Sequence, residues 1–223
     1  FSWRCVNKGT IQGSVSGPYL FNLFINDLNI DSNPMTLLIK FADDGTILVI
    51  VNKSSPDISQ HTVNQYLKWS EDNCMPCNVT KCNELCTQKR SKESYRPVND
   101  IKQVQSLKIL GITFQNNYRI TVHIKNKLLE ANKCLFVIRS LKKEGYCQDD
   151  IDHLFNVIVL PKLTYGLSVY AASKPELTTV QNFLNRCYKR KYISYFIDIF
   201  KLLDKSDRTI FNKARNVGHP LHS

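Results

Sequence analysis

No uninterrupted apolar run in this sequence approaches the ~20 residues that a membrane-spanning helix needs, so no transmembrane segment and no membrane partner are expected. Acidic residues are scarce: nineteen Asp and Glu stand against thirty Lys and Arg, a formal charge of +11. That excess points to an anionic partner, nucleic acid foremost, with plain solubility as the bland alternative. There is no His-x-x-x-His pair, no Ser-His-Asp order and no Walker-type glycine loop, which sets aside the hydrolase and P-loop readings. His61, His123, His153, His219 and His222 then read as ordinary surface or interface residues. Internal repeats and low-complexity tracts are missing too, which argues against a solenoid or a linker protein. An initiator Met is also lacking: the chain opens Phe1-Ser2-Trp3-Arg4-Cys5, which reads as a fragment in which missing targeting signals carry little weight.

What is present is enough for a folded enzyme. The 223 residues are 43% hydrophobic and 22% charged, sufficient for one substantial core or two small ones. Eight cysteines in a chain of this length and basic character read as thiols in a reducing compartment, not as a disulfide framework. After Gly17-Pro18 the spacing of Phe21, Phe24, Ile25 and Leu28 predicts a helix to about residue 29. Two β-rich runs follow, 36–42 and 46–51, separated by Asp43-Asp44-Gly45, a strong hairpin signal that puts the two carboxylates at a turn between buried strands. Ser55-Pro56-Asp57 reads as the cap of a helix whose inner face carries Ile58, Thr62, Tyr66 and Trp69 and which ends near 74–76. A short strand at 83–88, a polar loop at 89–100 and strands at 104–110 and 111–114 complete a mixed part. From Arg119 the period changes to helical, with helices expected to about Lys143 and at 149–171, 175–193 and 197–215. The boundary between the two parts is placed at the asparagine turn near residue 116.

Two adjacent carboxylates at a hairpin tip are tolerated when a divalent cation neutralises them, and hard oxygen ligands of this kind suit Mg²⁺. A solvated Asp-Gly turn is the plain alternative. The surrounding order decides between them. Gly9-Thr10-Ile11-Gln12-Gly13-Ser14-Val15-Ser16-Gly17-Pro18-Tyr19-Leu20-Phe21 precedes a helix ending Phe24-Ile25-Asn26-Asp27-Leu28, and Phe41-Ala42-Asp43-Asp44 follows. Asn78-Val79-Thr80-Lys81-Cys82, Leu110-Gly111-Ile112-Thr113-Phe114, Leu160-Pro161-Lys162-Leu163-Thr164-Tyr165-Gly166 and the closing His219-Pro220-Leu221-His222 come after in that order. The ordered set resembles the reverse transcriptases of non-LTR (LINE-like) retrotransposons, over essentially the whole chain.

The resemblance implies an α+β fold: a polymerase palm, an antiparallel sheet backed by helices and lacking its N-terminal part, over residues 1–116, followed by an all-helical thumb and tail over 117–223. The implied reaction is RNA-directed DNA polymerisation, in which a primer 3′-oxygen attacks the α-phosphate of a dNTP with two Mg²⁺ ions in the complete enzyme. Asp43 and Asp44 would be the metal ligands and Lys81 a catalytic residue that approaches the triphosphate, with a solvated surface lysine as its alternative. Gln12, Gly13, Ser14, Phe41 and Ala42 would meet template and nucleotide, and Leu110 and Gly111 would form the primer grip. The partners implied are an RNA template, a DNA primer and dNTPs, and the family implies nuclear action. Lys125, Lys127, Lys133, Lys142, Lys143, Lys189, Arg190 and Lys191 would suit a thumb that holds the nucleic-acid backbone.

The pattern also requires an upstream strand-borne aspartate and a fingers subdomain, for which Asp27 and Asp31 are no substitutes. Little or no polymerase activity is therefore expected of these residues alone, and a non-catalytic nucleic-acid-binding remnant is the competing expectation. Gly45 stands where the family commonly has Thr, and Ser16 where Leu is usual, departures that a decaying element would also show. Cys74, Cys77, Cys82 and Cys86 form a second constellation, readable as a four-thiolate zinc site of unorthodox spacing or, for Cys77 and Cys82, as small buried hydrophobes.

Overall fold

The computed structural model describes residues 9, 13–30, 33–52, 56–87, 96–169, 172–219 and 222. The chain divides into two compact units, one of residues 1–84 and 94–103, the other of 85–93 and 104–223. In the first, helix α1 (Gly17–Phe24) starts with Pro18 in its opening turn and runs into a single 3₁₀ turn (Ile25–Asp27) that is shorter than the helix the spacing predicts. Strands β1 (Thr36–Phe41) and β2 (Asp44–Val49) pair antiparallel, and α2 (Ser59–Asp72) follows. Strands β3 (Asn83–Glu84) and β4 (Lys102–Gln103) make a parallel pair two residues long, so the strand expected at 83–88 is reduced to its first two positions.

The described strands thus lie in two-stranded ribbons where one antiparallel sheet was expected. The consequence is visible on β1 and β2. Their side chains alternate as a half-buried ribbon should, and the unpartnered face leaves Leu37, Ile39, Phe41, Leu48 and Ile50 exposed. Among the described hydrophobic residues, this unit buries only Ile25, Leu28 and Val98.

The second unit carries the large core. Strands β5 (Ser106–Ile109) and β6 (Ile112–Gln115) form an antiparallel hairpin. Helix α3 (Thr121–Lys143) spans the range the period predicts, and Ile124, Ala131, Leu135 and Ile138 along it face inward. The helix expected over 149–171 is interrupted. It consists of α4 (Gln148–Leu154), a π-helical turn (Phe155–Val159) and α5 (Leu160–Thr164). Pro161 explains the interruption: it has no N–H to donate to the preceding turn, and the Leu160 N–H instead reaches back five residues to the Phe155 carbonyl. Helices α6 (Lys174–Lys189) and α7 (Ile199–Ala214) close the unit around Phe155, Val159, Leu163, Val180, Phe183 and Ile199. From residue 104 on the chain belongs to this unit, so the β5–β6 hairpin lies with the helices, where the sequence placed the boundary near 116. The hairpin joins the helical unit because β6 is hydrogen-bonded to α3, as described next.

Candidate functional site

The register Phe41↔Asp44 leaves Ala42-Asp43 as a two-residue turn. Ala42 takes φ 49, a left-handed setting that costs a non-glycine residue about 1 kcal/mol. Asp43 stands at the tip and Asp44 opens β2, and both are exposed. This corrects one expectation, for the turn sits one residue earlier than Asp43-Asp44-Gly45; both carboxylates are solvated, so water bears the cost of holding two like charges together. Gly45 is a strand residue opposite Lys40. Phe41 is 60% exposed beside the acids.

Helix α2 is the scaffold that gathers the elements of this unit. Its Tyr66 lies against the hairpin so closely that a Cβ on Gly45 would stand 2.5 Å from the phenol oxygen and 2.9 Å from the ring. Burial first, and then the charges of Cys77, Cys82 and Asp44, push the Tyr66 phenol above its ordinary pKa of 10.0, which places those three groups around it. Trp69 meets Phe24 of α1 edge to face at 6.0 Å. Ser70 donates to the Met75 carbonyl (2.6 Å) and accepts from the Cys77 N–H (2.9 Å), tying the segment after α2 back onto the helix. Lys40, the one charged residue of β1, points its ammonium at the carbonyls of Ile25 and Leu28, 3.0 Å each, at the 3₁₀ turn after α1.

Of the other residues singled out in the sequence, Gln12 lies outside the described residues. Gly13 has φ +83 with open space where a Cβ would be, so its backbone is accessible from that side. Ser14 accepts from the Gly17 N–H at 3.1 Å and so caps the start of α1. Lys81 ends a 3₁₀ turn (Val79–Lys81) and is exposed. Tyr66 was placed on the inner face of α2 by its helical spacing, whereas Lys40 and Ser70 were not singled out. Of these two only Lys40 carried a signal, a lone charge breaking the apolar run before the acids.

Among the described residues no group of three His, Cys, Asp or Glu side chains is arranged to hold a metal, which leaves the four-cysteine zinc reading without a site. Asp43 and Asp44 do fit the way Mg²⁺ is commonly held, by one or two carboxylates with substrate phosphates completing the shell. Cys77 and Cys82 lie with sulfurs 3.7 Å apart.

In the second unit, Leu110-Gly111 is the two-residue turn of the β5–β6 hairpin, with φ 46 and 82, as a type I′ turn requires. The Tyr165 hydroxyl donates to the Leu110 carbonyl (2.7 Å), and its ring would lie 3.1 Å from a Cβ on Gly111. Next to it, a Cβ on Gly166 would meet Ile112 at 2.9 Å. The Leu110-Gly111-Ile112 and Thr164-Tyr165-Gly166 motifs are therefore packed on each other. His123 of α3 locks them: Nδ1 accepts from the Thr113 N–H (3.3 Å) and Nε2 faces the Tyr165 carbonyl (3.0 Å). An amide can only donate and a carbonyl only accept, so the proton is on Nε2. At 1% exposure His123 is buried, which corrects its reading as an ordinary surface or interface residue.

Beside this lock a cavity of about 230 Å³ is lined by Lys108, Lys127 and Lys133 together with Glu130. The Lys127 ammonium sits 5.2 Å from the Tyr165 ring centroid and 3.2 Å from Glu130. The Lys127 hydrogen bond, helped by the charges of Lys127, Lys162 and Lys108 and opposed by slight burial, holds the Glu130 carboxyl below its ordinary pKa of 4.5. Three lysines thus converge on one carboxylate, a net positive patch.

Comparison with known proteins identifies the family. The family described as reverse transcriptase (RNA-dependent DNA polymerase) matches residues 2–114. The chain is 27% identical over 198 residues to the RNA-directed DNA polymerase from mobile element jockey of Drosophila melanogaster, covering 81% of this chain and 21% of that protein. It is 24% identical over 195 residues to the retrovirus-related Pol polyprotein from type-1 retrotransposable element R1 of Bradysia coprophila, covering 82% and 19%. It spans about a fifth of the length of these curated relatives. No solved structure matches. With the ordered motifs, the acid pair on its hairpin and a family match over half its length, the chain belongs to the reverse transcriptase family, of the non-LTR retrotransposon type.

Proposed function

We propose that this chain supplies the acid-bearing hairpin, the nucleotide-facing turns and the nucleic-acid-holding helices of an RNA-directed DNA polymerase, with the first unit acting as part of the palm and the helices as the thumb. The observation that carries the proposal is the exposed Asp43-Asp44 pair at the β1–β2 turn, standing in motif order between the Gly13-Ser14 turn and the Lys81 turn.

In the reaction, the primer 3′-oxygen bonds to the α-phosphorus of the dNTP as the bond to pyrophosphate breaks. Mg²⁺, when bound, would offset the negative charge gathered on the phosphates. Asp43, and Asp44 beside it, would hold that ion with their carboxylates from the β1–β2 turn. Phe41 and Ala42 flank the nucleotide, and the open side of Gly13 admits a base or backbone close to the main chain. Lys81 hands a proton to the departing pyrophosphate. Leu110 and Gly111, held by Tyr165 and His123, grip the primer.

Among the described residues no third metal-ligating side chain joins the acid pair. On this reading the 223 residues alone are expected to bind primer–template in a salt-sensitive way with little or no extension. Fused behind the preceding segment of the jockey polymerase they should extend a DNA primer on an RNA template with Mg²⁺ and dNTPs, and Asp43→Asn should lower the rate by about a thousandfold or more, the loss expected when a principal source of transition-state electrostatics goes. A fusion whose extension ignores the substitution would remove Asp43 from the mechanism. A fusion that binds with the wild-type salt dependence yet never extends would favour the non-catalytic remnant.

A further inference from the structure

The cysteine pair in the first unit has no part in the proposed chemistry, yet the fold holds it ready for one reaction. Cys77 and Cys82 flank the turn that carries Lys81, and their sulfurs are 3.7 Å apart. Both ends of the turn are fixed by the backbone. The Cys77 N–H is bound to Ser70 of α2, and Cys82 leads directly into β3, which is paired with β4. Between them the Lys81 N–H donates to the Asn78 carbonyl and the Cys82 N–H to the Val79 carbonyl, each at 3.0 Å, which closes the turn and brings the sulfurs together. Neither sulfur is engaged by a metal cluster among the described residues. A disulfide needs ~2.05 Å between sulfurs, a distance side-chain rotation can supply when the backbone already places the pair side by side.

We propose that Cys77 and Cys82 form a covalent modification site, closing to a reversible disulfide by exchange with a small-molecule disulfide of the glutathione class. In the first step the Cys82 thiolate attacks one sulfur of the oxidant, whose S–S bond breaks and releases one thiolate. In the second, Cys77 attacks the Cys82 sulfur of the mixed disulfide and expels the second thiolate. The two protons lost by the cysteines are taken up by the two released thiolates, so the cysteines are oxidised by two electrons and the oxidant is reduced by two. Cys82 is the entry point because its contact with the Asn78 carbonyl, at 3.5 Å, is exposed to solvent. Burial above all, with the hydrogen bond to Cys82, pushes the Cys77 thiol up to about 11, so Cys77 is the poorer nucleophile and enters only in the second step, where its position beside the Cys82 sulfur makes the attack intramolecular. The product staples the turn beneath Lys81.

The test is peptide mapping of the 223-residue chain equilibrated with reduced and oxidised glutathione, then alkylated. Trypsin cuts after Lys81 and so separates the two cysteines, and the disulfide appears as two joined peptides. Because Cys74 and Cys86 fall in the same two peptides, the measurement is made in C74S/C86S as well. Expected results are a joined pair in both proteins, loss of the joint in C77S with glutathione retained on Cys82, and an equilibrium constant for closure about tenfold or more above that in concentrated urea, where the turn is unfolded. Closure no more favourable in the fold than in urea would overturn the proposal, as would a joint that disappears in C74S/C86S. None of these readouts depends on polymerase activity, so the site stands or falls apart from the proposed function.

Discussion

At the scale of single residues, Gly45 shows how a departure from the family pattern becomes intelligible in context. The sequence marks it only as a glycine where threonine is common, a residue that should loosen its strand. In the structure the space beside it is filled by the Tyr66 ring. Glycine and tyrosine are thus a matched pair, and adding a Cβ to one requires the other to move. Gly45→Ala should destabilise the first unit by about 1–2 kcal/mol, the usual cost of overpacking a filled position. In a Tyr66→Leu background the same substitution should cost measurably less, a coupling above about 0.5 kcal/mol in a double-mutant cycle read by urea unfolding. Additive costs would show that ring and strand do not touch. The place of the acid pair beside a hairpin turn was legible, because charge breaking an apolar run is a one-dimensional signal, whereas the exact turn residues were not. The burial of His123 was not: its two partners lie 10 and 42 residues away in sequence, and nothing local marks a ring that bridges them.

At the scale of elements, period and composition placed α3, α6 and α7 within a few residues, since each carries a sustained apolar stripe. They misjudged the hairpin turn because Asp-Gly is the favoured turn pair, and here Ala42 accepts the left-handed conformation in its place. They missed the break before α5 because the apolar stripe continues through the π turn. One readable signal went unused: Ser173-x-x-Glu176 is a capping box at the start of α6. Glu176 does more than cap. It accepts from the Ser173 N–H and hydroxyl at 2.9 and 2.6 Å and from the Ile120 N–H at 3.1 Å, so one carboxylate joins the starts of α6 and α3. Burial raises its pKa, but the hydrogen bonds from Ser173 and Ile120, with the nearby charge of Arg119, outweigh it and leave the group below its ordinary 4.5. A lowered carboxyl stabilises the fold above the unfolded value, and that contribution is lost as pH falls below about 4.5 toward the folded value. Glu176→Gln should therefore flatten the acid limb of the stability profile below that pH, and Glu176→Ala should cost about 1 kcal/mol at neutral pH. An acid limb unchanged in Glu176→Gln would place the titrating group elsewhere.

At the scale of the whole molecule, a charge of +11 says only that an anion is welcome, while the second unit shows where part of that charge is concentrated. Lys108, Lys127 and Lys162 act on Glu130 from one hairpin strand and two helices, and Lys133 lines the same cavity. A surface of this kind holds a phosphodiester backbone by releasing its counterions and does not read sequence. Two opposed substitutions separate this from a merely solvated helix face. Lys133→Ala removes one phosphate contact, so the slope of log K against log salt should become shallower by about 0.7–0.9, with affinity weakened alike on unrelated sequences. Glu130→Gln removes the carboxylate that competes with phosphate for the lysines, so binding should tighten by about two- to fivefold in low salt and return toward wild type as salt screens the patch. Both are read by fluorescence anisotropy of a labelled RNA–DNA duplex from about 50 to 200 mM salt, a range over which multi-contact binding falls steeply. If neither variant shifts the titration, the lysines around Glu130 are solvent-facing charge, and any nucleic-acid-holding surface lies elsewhere on the chain.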